Sequence, residues 1–329
     1  MPETIPVIDL ADFISSGRTA RDSVGPAIDA ACRDVGFLLV TGHGVPDALL
    51  QRMHDVSAEF FALPAASKRS LEIGTNSDLG WTGPGQSYLA NTLTRDEAGG
   101  PPADWKESFG ARPIAPWPNL TEQERGYFVD MKWPAGLPAM EAIYSAYFGH
   151  MERLGATIMS AFAVSLGLDS DYFDSMIDRH LSVLSVHNYP AQPNNPRPGQ
   201  LRAGAHTDFG PLTILHPGRN PGGLQVQDRT GAWADVTPRW ENFVVNIGDL
   251  MAQWTNDRWV STMHRVVNPP RDRAHLARQS LTFFYAPNWD AVVECPPGCS
   301  GPGNPVKYQP IAAGAHIEAK MARLRDLAA

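Results

Sequence analysis

The segment GAHTDFG places His206 and Asp208 two residues apart. In a strand, side chains at i and i+2 leave the same face, so this pair would present an imidazole beside a carboxylate. Both groups bind transition metals, but two donors hold an ion poorly and a third is needed. His264 can supply it, in the strand-like segment STMHRVVN beyond the turn GDLMAQWTNDRW, if the chain crosses its sheets and returns to the same mouth. Two histidines and one carboxylate leave three adjacent positions open on an octahedral ferrous ion. The same set also serves catalytic zinc, and a bare HxD pair arises by chance, so these residues do not carry the assignment alone. Arg278 and Ser280 in ARQSLTFF add to it, again on one face of a strand. An arginine buried among strands needs an anionic partner. A guanidinium beside a hydroxyl is well shaped to hold a carboxylate in a forked geometry. The expected partner is the distal carboxylate of a small diacid.

Such residues need a β-rich scaffold, and the C-terminal half has the pattern of one. After about Leu181, short alternating runs divided by turn signals follow one another: LSVLSVHNYP, AHTDFGPLTILH, GGLQVQ, WADVTP, NFVVNIGD, STMHRVV and QSLTFFYAP. They predict a sandwich or barrel of antiparallel strands. Upstream, the periodicity predicts a short strand over 5–10, an amphipathic helix over 20–35, a buried strand in GFLLVTGHGV, and a helix from Pro46 that Pro64 stops. A long helix is expected over 138–166, capped by Gly167, then a short one over 170–179 and a closing helix over 315–327. The stretch from Gly74 to Pro118 has no clear period. It carries Trp81, Tyr88, Trp105, Phe109 and Trp117, which argues for a functional loop region rather than disorder. The expected fold class is mainly β with flanking helices. Residues 1–120 form a helix and strand region with variable substrate loops, 121–180 bracing helices, 181–290 the core, and 291–329 a C-terminal loop and helix.

At 329 residues with 43% hydrophobic content, the chain can bury a substantial core. Its formal net charge is −8, with no basic stripe, so nucleic acid and anionic membrane are poor candidates as partners. MPETIPVIDLADF lacks the features of a secretory signal, and no stretch approaches the roughly eighteen apolar residues of a membrane span. A cytoplasmic protein acting on a small molecule, as a monomer or weak homo-oligomer, is expected. Cys32, Cys295 and Cys299 are too few for a disulfide framework, and CPPGC is taken as a loop with two thiols rather than half a zinc site.

Taken together, HTD, the distant His264 and RQS resemble the isopenicillin N synthase-like family of iron(II)- and 2-oxoglutarate-dependent oxygenases. The likeness extends to IPVIDLADF, GFLLVTGHGV, the HNYP at 187–190, GGLQVQ, VVNIGDLMAQWTND and STMHRVVNP, and so runs nearly end to end. It implies a double-stranded β-helix, or jelly roll, braced by an N-terminal helical region, with iron held by His206, Asp208 and His264 at one end. It also implies that 2-oxoglutarate chelates the iron through its 1-carboxylate and 2-oxo group. The 5-carboxylate would reach Arg278 and Ser280, with Tyr189 of the NYP-type motif beside them. The family's more usual asparagine two places before that tyrosine is His187 here, a departure that makes His187 a further candidate contact. The segment PPRDRAHLA between His264 and Arg278 is longer than usual and implies a longer hairpin loop. With dioxygen as second co-substrate, the implied reaction decarboxylates the keto acid to succinate and carbon dioxide and oxidises an unactivated C–H bond. Hydroxylation is its default outcome, desaturation or cyclisation its variants.

A mostly apolar pocket would draw on Trp81, Tyr88, Phe109, Phe209 and Phe284 for substrate contacts. Asn246 and Trp254 lie in segments suited to supporting the metal ligands. His43 is taken as a turn residue, His54, His150, His180, His275 and His316 as solvated or capping, and His216 as lying at the far end. No nucleotide fingerprint and no nucleophile elbow is present. The nearest rival is an oxidase of the same fold, isopenicillin N synthase-like and ring-forming, that does without 2-oxoglutarate and uses an RxS motif for a substrate carboxylate or bicarbonate. A zinc hydrolase leaves no place for Arg278 and Ser280. A jelly-roll binding protein that had lost its chemistry would be expected to have lost a ligand.

Overall fold

The computed structural model describes residues 5–17, 21–73, 78–87, 89, 102–192, 194–220 and 222–328, so Tyr88 lies outside it. Its strands are β1 (Val7–Asp9), β2 (Phe37–Thr41), β3 (Gly80–Thr82), β4 (Glu107–Ala111), β5 (Val183–Tyr189), β6 (Ala203–His206), β7 (Leu212–His216), β8 (Leu224–Gln227), β9 (Trp233–Asp235), β10 (Phe243–Ile247), β11 (His264–Val266), β12 (Arg278–Tyr285), β13 (Val292–Val293) and β14 (Ile311–Ala312). The helices are α1 (Ala11–Ser15), α2 (Arg21–Asp34), α3 (Asp47–Ala62), α4 (Ala65–Arg69), α5 (Glu122–Arg125), α6 (Met140–Ser165), α7 (Asp174–Ile177), α8 (Asp249–Trp254) and α9 (Ala313–Ala328).

Two facing sheets carry the molecule. The larger has eight strands in the order β1-β2-β10-β7-β12-β5-β4-β3, and the smaller has four, β6-β11-β8-β9. β1 joins β2 in parallel, and the other neighbours run antiparallel. This is the double-stranded β-helix expected from the sequence.

The period-2 alternation of β12 shows how the sheet sorts its residues. Leu281, Phe283 and Tyr285 point to the helices and are buried there with α3 and α6, as in the edge-on contact of Phe148 with Phe283 at 5.1 Å. Arg278, Ser280, Thr282 and Phe284 alternate with them and face the small sheet. The apolar core between the sheets is thin, built on Phe37, Leu39, Val244, Ala203, Leu224, Val226 and Val266. Polar residues occupy the rest of that inner face, and they hold the chemistry described below.

One expectation is corrected. The stretch from Gly74 to Pro118, taken as loop, contains β3 and β4, which extend the large sheet beyond β5. Glycines hide their alternation. A Cβ at Gly110 would lie 1.7 Å from the carbonyl oxygen of Asp78, so only a bare backbone allows the crossing. Pro64 stops α3 as expected, and with its extended backbone it is also the N-cap of a further helix, α4. Among the described residues, no helix is long and apolar enough to cross a membrane.

Candidate metal centre

β6 and β11 pair so that His264 lies directly opposite His206, with ring centroids 4.3 Å apart. Asp208 follows β6 in the link to β7. One ligand atom from each of the three residues lies within 4.8 Å of the other two. Each histidine turns Nδ1 to the carbonyl two residues upstream: His206 donates to Gly204 O (2.8 Å) and His264 to Thr262 O (3.0 Å). With the proton fixed on Nδ1, Nε2 keeps its lone pair. Both Nε2 atoms stand 3.8 Å from Asp208 Oδ1. The other carboxylate oxygen is occupied: Asp208 Oδ2 accepts from Thr213 Oγ1 (2.6 Å) and Asn246 Nδ2 (2.7 Å).

Electrostatics favour the ligating forms of His206 and Asp208. Burial, then the neighbouring His264, pushes His206 down to about 3, so it is neutral at physiological pH. Burial alone would raise Asp208. The two imidazoles and the hydrogen bonds from Asn246 and Thr213 outweigh it and hold the carboxyl below its usual range. Two nitrogen donors and one carboxylate around a common point fit a ferrous ion that keeps further positions open. The backbone is drawn in tightly behind them. Asp249 N–H donates to Asp208 O (2.8 Å), and a Cβ at Gly248 would lie 2.1 Å from Gly210 O. α9 reaches the same turn through Lys320, whose ammonium donates to Asp249 Oδ2 (2.6 Å).

The pairing of β5 with β12 sets Arg278 opposite Tyr189, Ser280 opposite His187, and Thr282 opposite Ser185, all on the inner face. Arg278 is 2% exposed, its guanidinium 4.8 Å from the Tyr189 ring centroid and its Nη1 3.4 Å from Ser280 Oγ. Among the described residues its Nε and Nη2 have no partner, and neither do Thr282 Oγ1 and His187 Nδ1. Burial pushes the Arg278 guanidinium below its usual value, with Tyr189 working against the shift. A buried cation with unpaired donors is costly to leave empty. The cluster is shaped for a planar anion, and 2-oxoglutarate fits by charge and acceptor number. His187 is pushed well below its usual value by burial first, then by Lys106, Arg278 and His206, so it is neutral.

The aromatic candidates divide. Phe284 is half-buried on the inner face with its ring 6.5 Å from His187, and Phe209 is half-buried next to Asp208, its ring 5.9 Å from the Lys320 ammonium. Trp81 and Phe109 point the other way. Phe109 packs against Phe60 (4.7 Å) and Tyr144 (5.8 Å) under the helices, and Trp81 Nε1 donates to Glu107 Oε2 (2.9 Å), which also accepts from Lys68 Nζ (2.7 Å). β4 begins one residue out of phase with a pocket role: Glu107, Phe109 and Ala111 face the helices, so Phe109 is a core residue.

Asn246 supports Asp208, while Trp254 lies in the helix-side core against Phe173 (5.0 Å), with no bond from its Nε1 among the described residues. His54, His180 and His316, taken as solvated or capping, are buried. His216 and His54 join in a ladder: His216 Nε2 donates to Trp240 O (2.8 Å), His54 Nε2 to His216 Nδ1 (2.8 Å), and the Gln279 amide to His54 Nδ1 (2.6 Å). Sequence reasoning missed Thr213 and also Asp104, Lys106 and Arg202, charged residues that are buried near the site. Thr213 had a usable signal, since alternation along LTILH puts it on the face of Leu215.

Known proteins resemble this chain along most of its length. Residues 5–136 match the family described as the non-haem dioxygenase in morphine synthesis, N-terminal region, and residues 180–287 match the 2OG-Fe(II) oxygenase superfamily. The chain is 33% identical over 290 residues to validamycin A dioxygenase of Streptomyces hygroscopicus subsp. limoneus, covering 87% of this chain and 77% of that protein. Among solved structures, a full-length Neurospora crassa protein in complex with alpha-KG superposes with a TM-score of 0.84 at 30% identity, over 98% of this chain and 97% of that one. JOX2 in complex with 2OG, Fe and JA gives a TM-score of 0.73 at 27% identity, over 96% and 89%.

Proposed function

The chain belongs to the 2OG-Fe(II) oxygenase superfamily and is an iron(II)- and 2-oxoglutarate-dependent oxygenase; from that premise we propose that it hydroxylates an unactivated C–H bond of a small organic metabolite. Desaturation or cyclisation of the same radical-prone carbon is the variant outcome. In the balanced reaction, one atom of dioxygen enters the product alcohol and the other enters succinate, as 2-oxoglutarate loses carbon dioxide. The keto acid and the substrate C–H bond each supply two electrons. When bound, iron with 2-oxoglutarate supplies the oxidant. The protein supplies position and charge.

We assign His206, Asp208 and His264 as the iron ligands. Their Nε2 and Oδ1 atoms converge because Gly204 O, Thr262 O, Thr213 and Asn246 occupy the remaining polar atoms of each side chain. Arg278 and Ser280, with Tyr189 flanking, would hold the 5-carboxylate, and His187 offers a neutral ring toward the same ligand. The observation that carries this reading is the buried Arg278 guanidinium, its Nε and Nη2 unpaired among the described residues, on the face of the large sheet turned toward the small sheet that carries His206 and His264. The structures of the Neurospora crassa protein and of JOX2 hold alpha-KG or 2OG, which does not favour a ring-forming oxidase that works without it. Phe209 and Phe284 would contact the substrate. A cytoplasmic setting, with neither nucleic acid nor membrane as partner and a monomer or weak homo-oligomer as the working form, completes the proposal.

Succinate released per 2-oxoglutarate consumed, under iron(II) and air, is the deciding assay. One-to-one release that stops without iron supports the reading. Oxygen uptake indifferent to added 2-oxoglutarate overturns it.

A further inference from the structure

β6, which carries His206, is the edge strand of the small sheet, so one row of its backbone groups lacks a strand partner. A segment from the N-terminal half covers that edge. Trp105 N–H donates to Leu201 O (2.8 Å), Gln200 Nε2 to Ala103 O (2.9 Å), and Gly204 N–H to Asp104 Oδ1 (2.8 Å). Asp104 is 3% exposed, and its second oxygen accepts from Ser87 Oγ (2.7 Å) and Leu89 N–H (3.3 Å), with the Lys106 ammonium 3.8 Å away. Gly204 is also the residue whose carbonyl accepts the hydrogen bond from His206 Nδ1–H. Having no side chain, Gly204 is held by its backbone bonds, and a carboxylate is the strongest acceptor available to its N–H. His264 has a separate anchor: its acceptor Thr262 is tied by Oγ1 to Val35 O (2.6 Å).

Resting on the iron assignment above, we propose that Asp104 is the positioning residue for His206. It fixes Gly204, and thereby the ring orientation and tautomer that leave Nε2 free for the metal, and it links that ligand to the loop at Ser87 and Leu89. Asp104 touches neither the ligand atoms nor the reacting groups.

The test uses the full chain loaded with cobalt(II), whose unpaired electrons shift the exchangeable imidazole N–H protons of its ligands out of the ordinary proton NMR range. Wild type should show two such resonances, from His206 and His264. Asp104→Ala should lose or broaden the His206 signal through solvent exchange and keep that of His264. Its iron(II) affinity, measured by anaerobic dialysis, should fall about 10–100-fold, the usual cost of losing a residue that orients a ligand. Asp104→Asn retains an oxygen for Gly204 N–H, so both resonances should persist and the affinity should stay within about threefold of wild type. If the alanine variant does not fold, the asparagine variant still decides, since loss of its His206 signal contradicts the proposal. Both resonances intact in Asp104→Ala, or both lost together, overturns the role of Asp104 while leaving the iron assignment standing. Wild type lacking shifted imidazole protons overturns the iron assignment itself, and this proposal with it.

Discussion

Asp208 brings the one negative charge among the three proposed metal ligands, and its usefulness depends on which oxygen is free. Thr213 and Asn246 hold Oδ2, so Oδ1 faces the two imidazoles. Asn246→Ala should release the carboxylate and weaken iron(II) binding about 10–100-fold while the fold persists. Anaerobic dialysis against iron(II) checks this, and unchanged affinity would mean that Asn246 is packing only. Arg278→Lys should raise the 2-oxoglutarate concentration needed for half-maximal turnover at least tenfold, because an ammonium cannot reproduce a forked contact worth roughly 2–5 kcal/mol when buried. An unaltered requirement would move the anion elsewhere. The principal residues of both proposed sites could be picked out because strands repeat every two residues: HxD and RxS each declare a shared face. Their supports were less legible. Asn246 could be placed in a supporting segment but not matched to the carboxylate it meets, and Asp104 approaches β6 from about a hundred positions away.

At the scale of elements, the large sheet separates stability from chemistry by parity. A side chain on the helix face of β4 or β12 belongs to the core, and the next residue belongs to the chamber. Phe109→Ala should therefore cost about 3–5 kcal/mol of unfolding free energy, as expected for a fully buried aromatic, and leave 2-oxoglutarate affinity unchanged in the folded fraction. Denaturant unfolding beside a 2-oxoglutarate titration separates the two. A wild-type midpoint with altered substrate coupling would restore Phe109 to the pocket. Long elements with a sustained period, such as α3, α6 and the β5 and β12 pair, could be placed from sequence. β3 and β4 could not, since they are three and five residues long and their glycines leave no side chains to count. β5, which β4 joins and through it β3, lies far along the chain, and a pairing set by tertiary contact leaves little local trace.

Across the whole molecule, the His54–His216 ladder joins α3, β7 and the back of β12, where Gln279 stands between Arg278 and Ser280. Burial pushes His54 down to about 4 and His216 to about 3, Gln279 and Asp55 working against the shift at His54, and Trp240 O and Asp47 at His216. Both imidazoles are neutral in the folded protein, while in the unfolded chain they take protons near the ordinary histidine value of about 6.5. The unfolded state thus binds more protons below that value. The ladder's contribution is fully present above about 6.5 and is lost as pH falls toward 4. Wild type should lose more stability between pH 7 and 4.5 than His54→Gln, which has one fewer titrating ring. Parallel unfolding curves for the two proteins would contradict this.

The claim on which the chemistry depends is that three residues distant in sequence bind one iron(II). Anaerobic dialysis of the metal-free protein against iron(II), followed by metal analysis, tests it most directly. Wild type should retain one iron per chain, and His206→Ala, Asp208→Ala and His264→Ala should each retain almost none while remaining folded. Undiminished iron in any of the three would remove that residue from the centre, and undiminished iron in all of them would place the metal elsewhere.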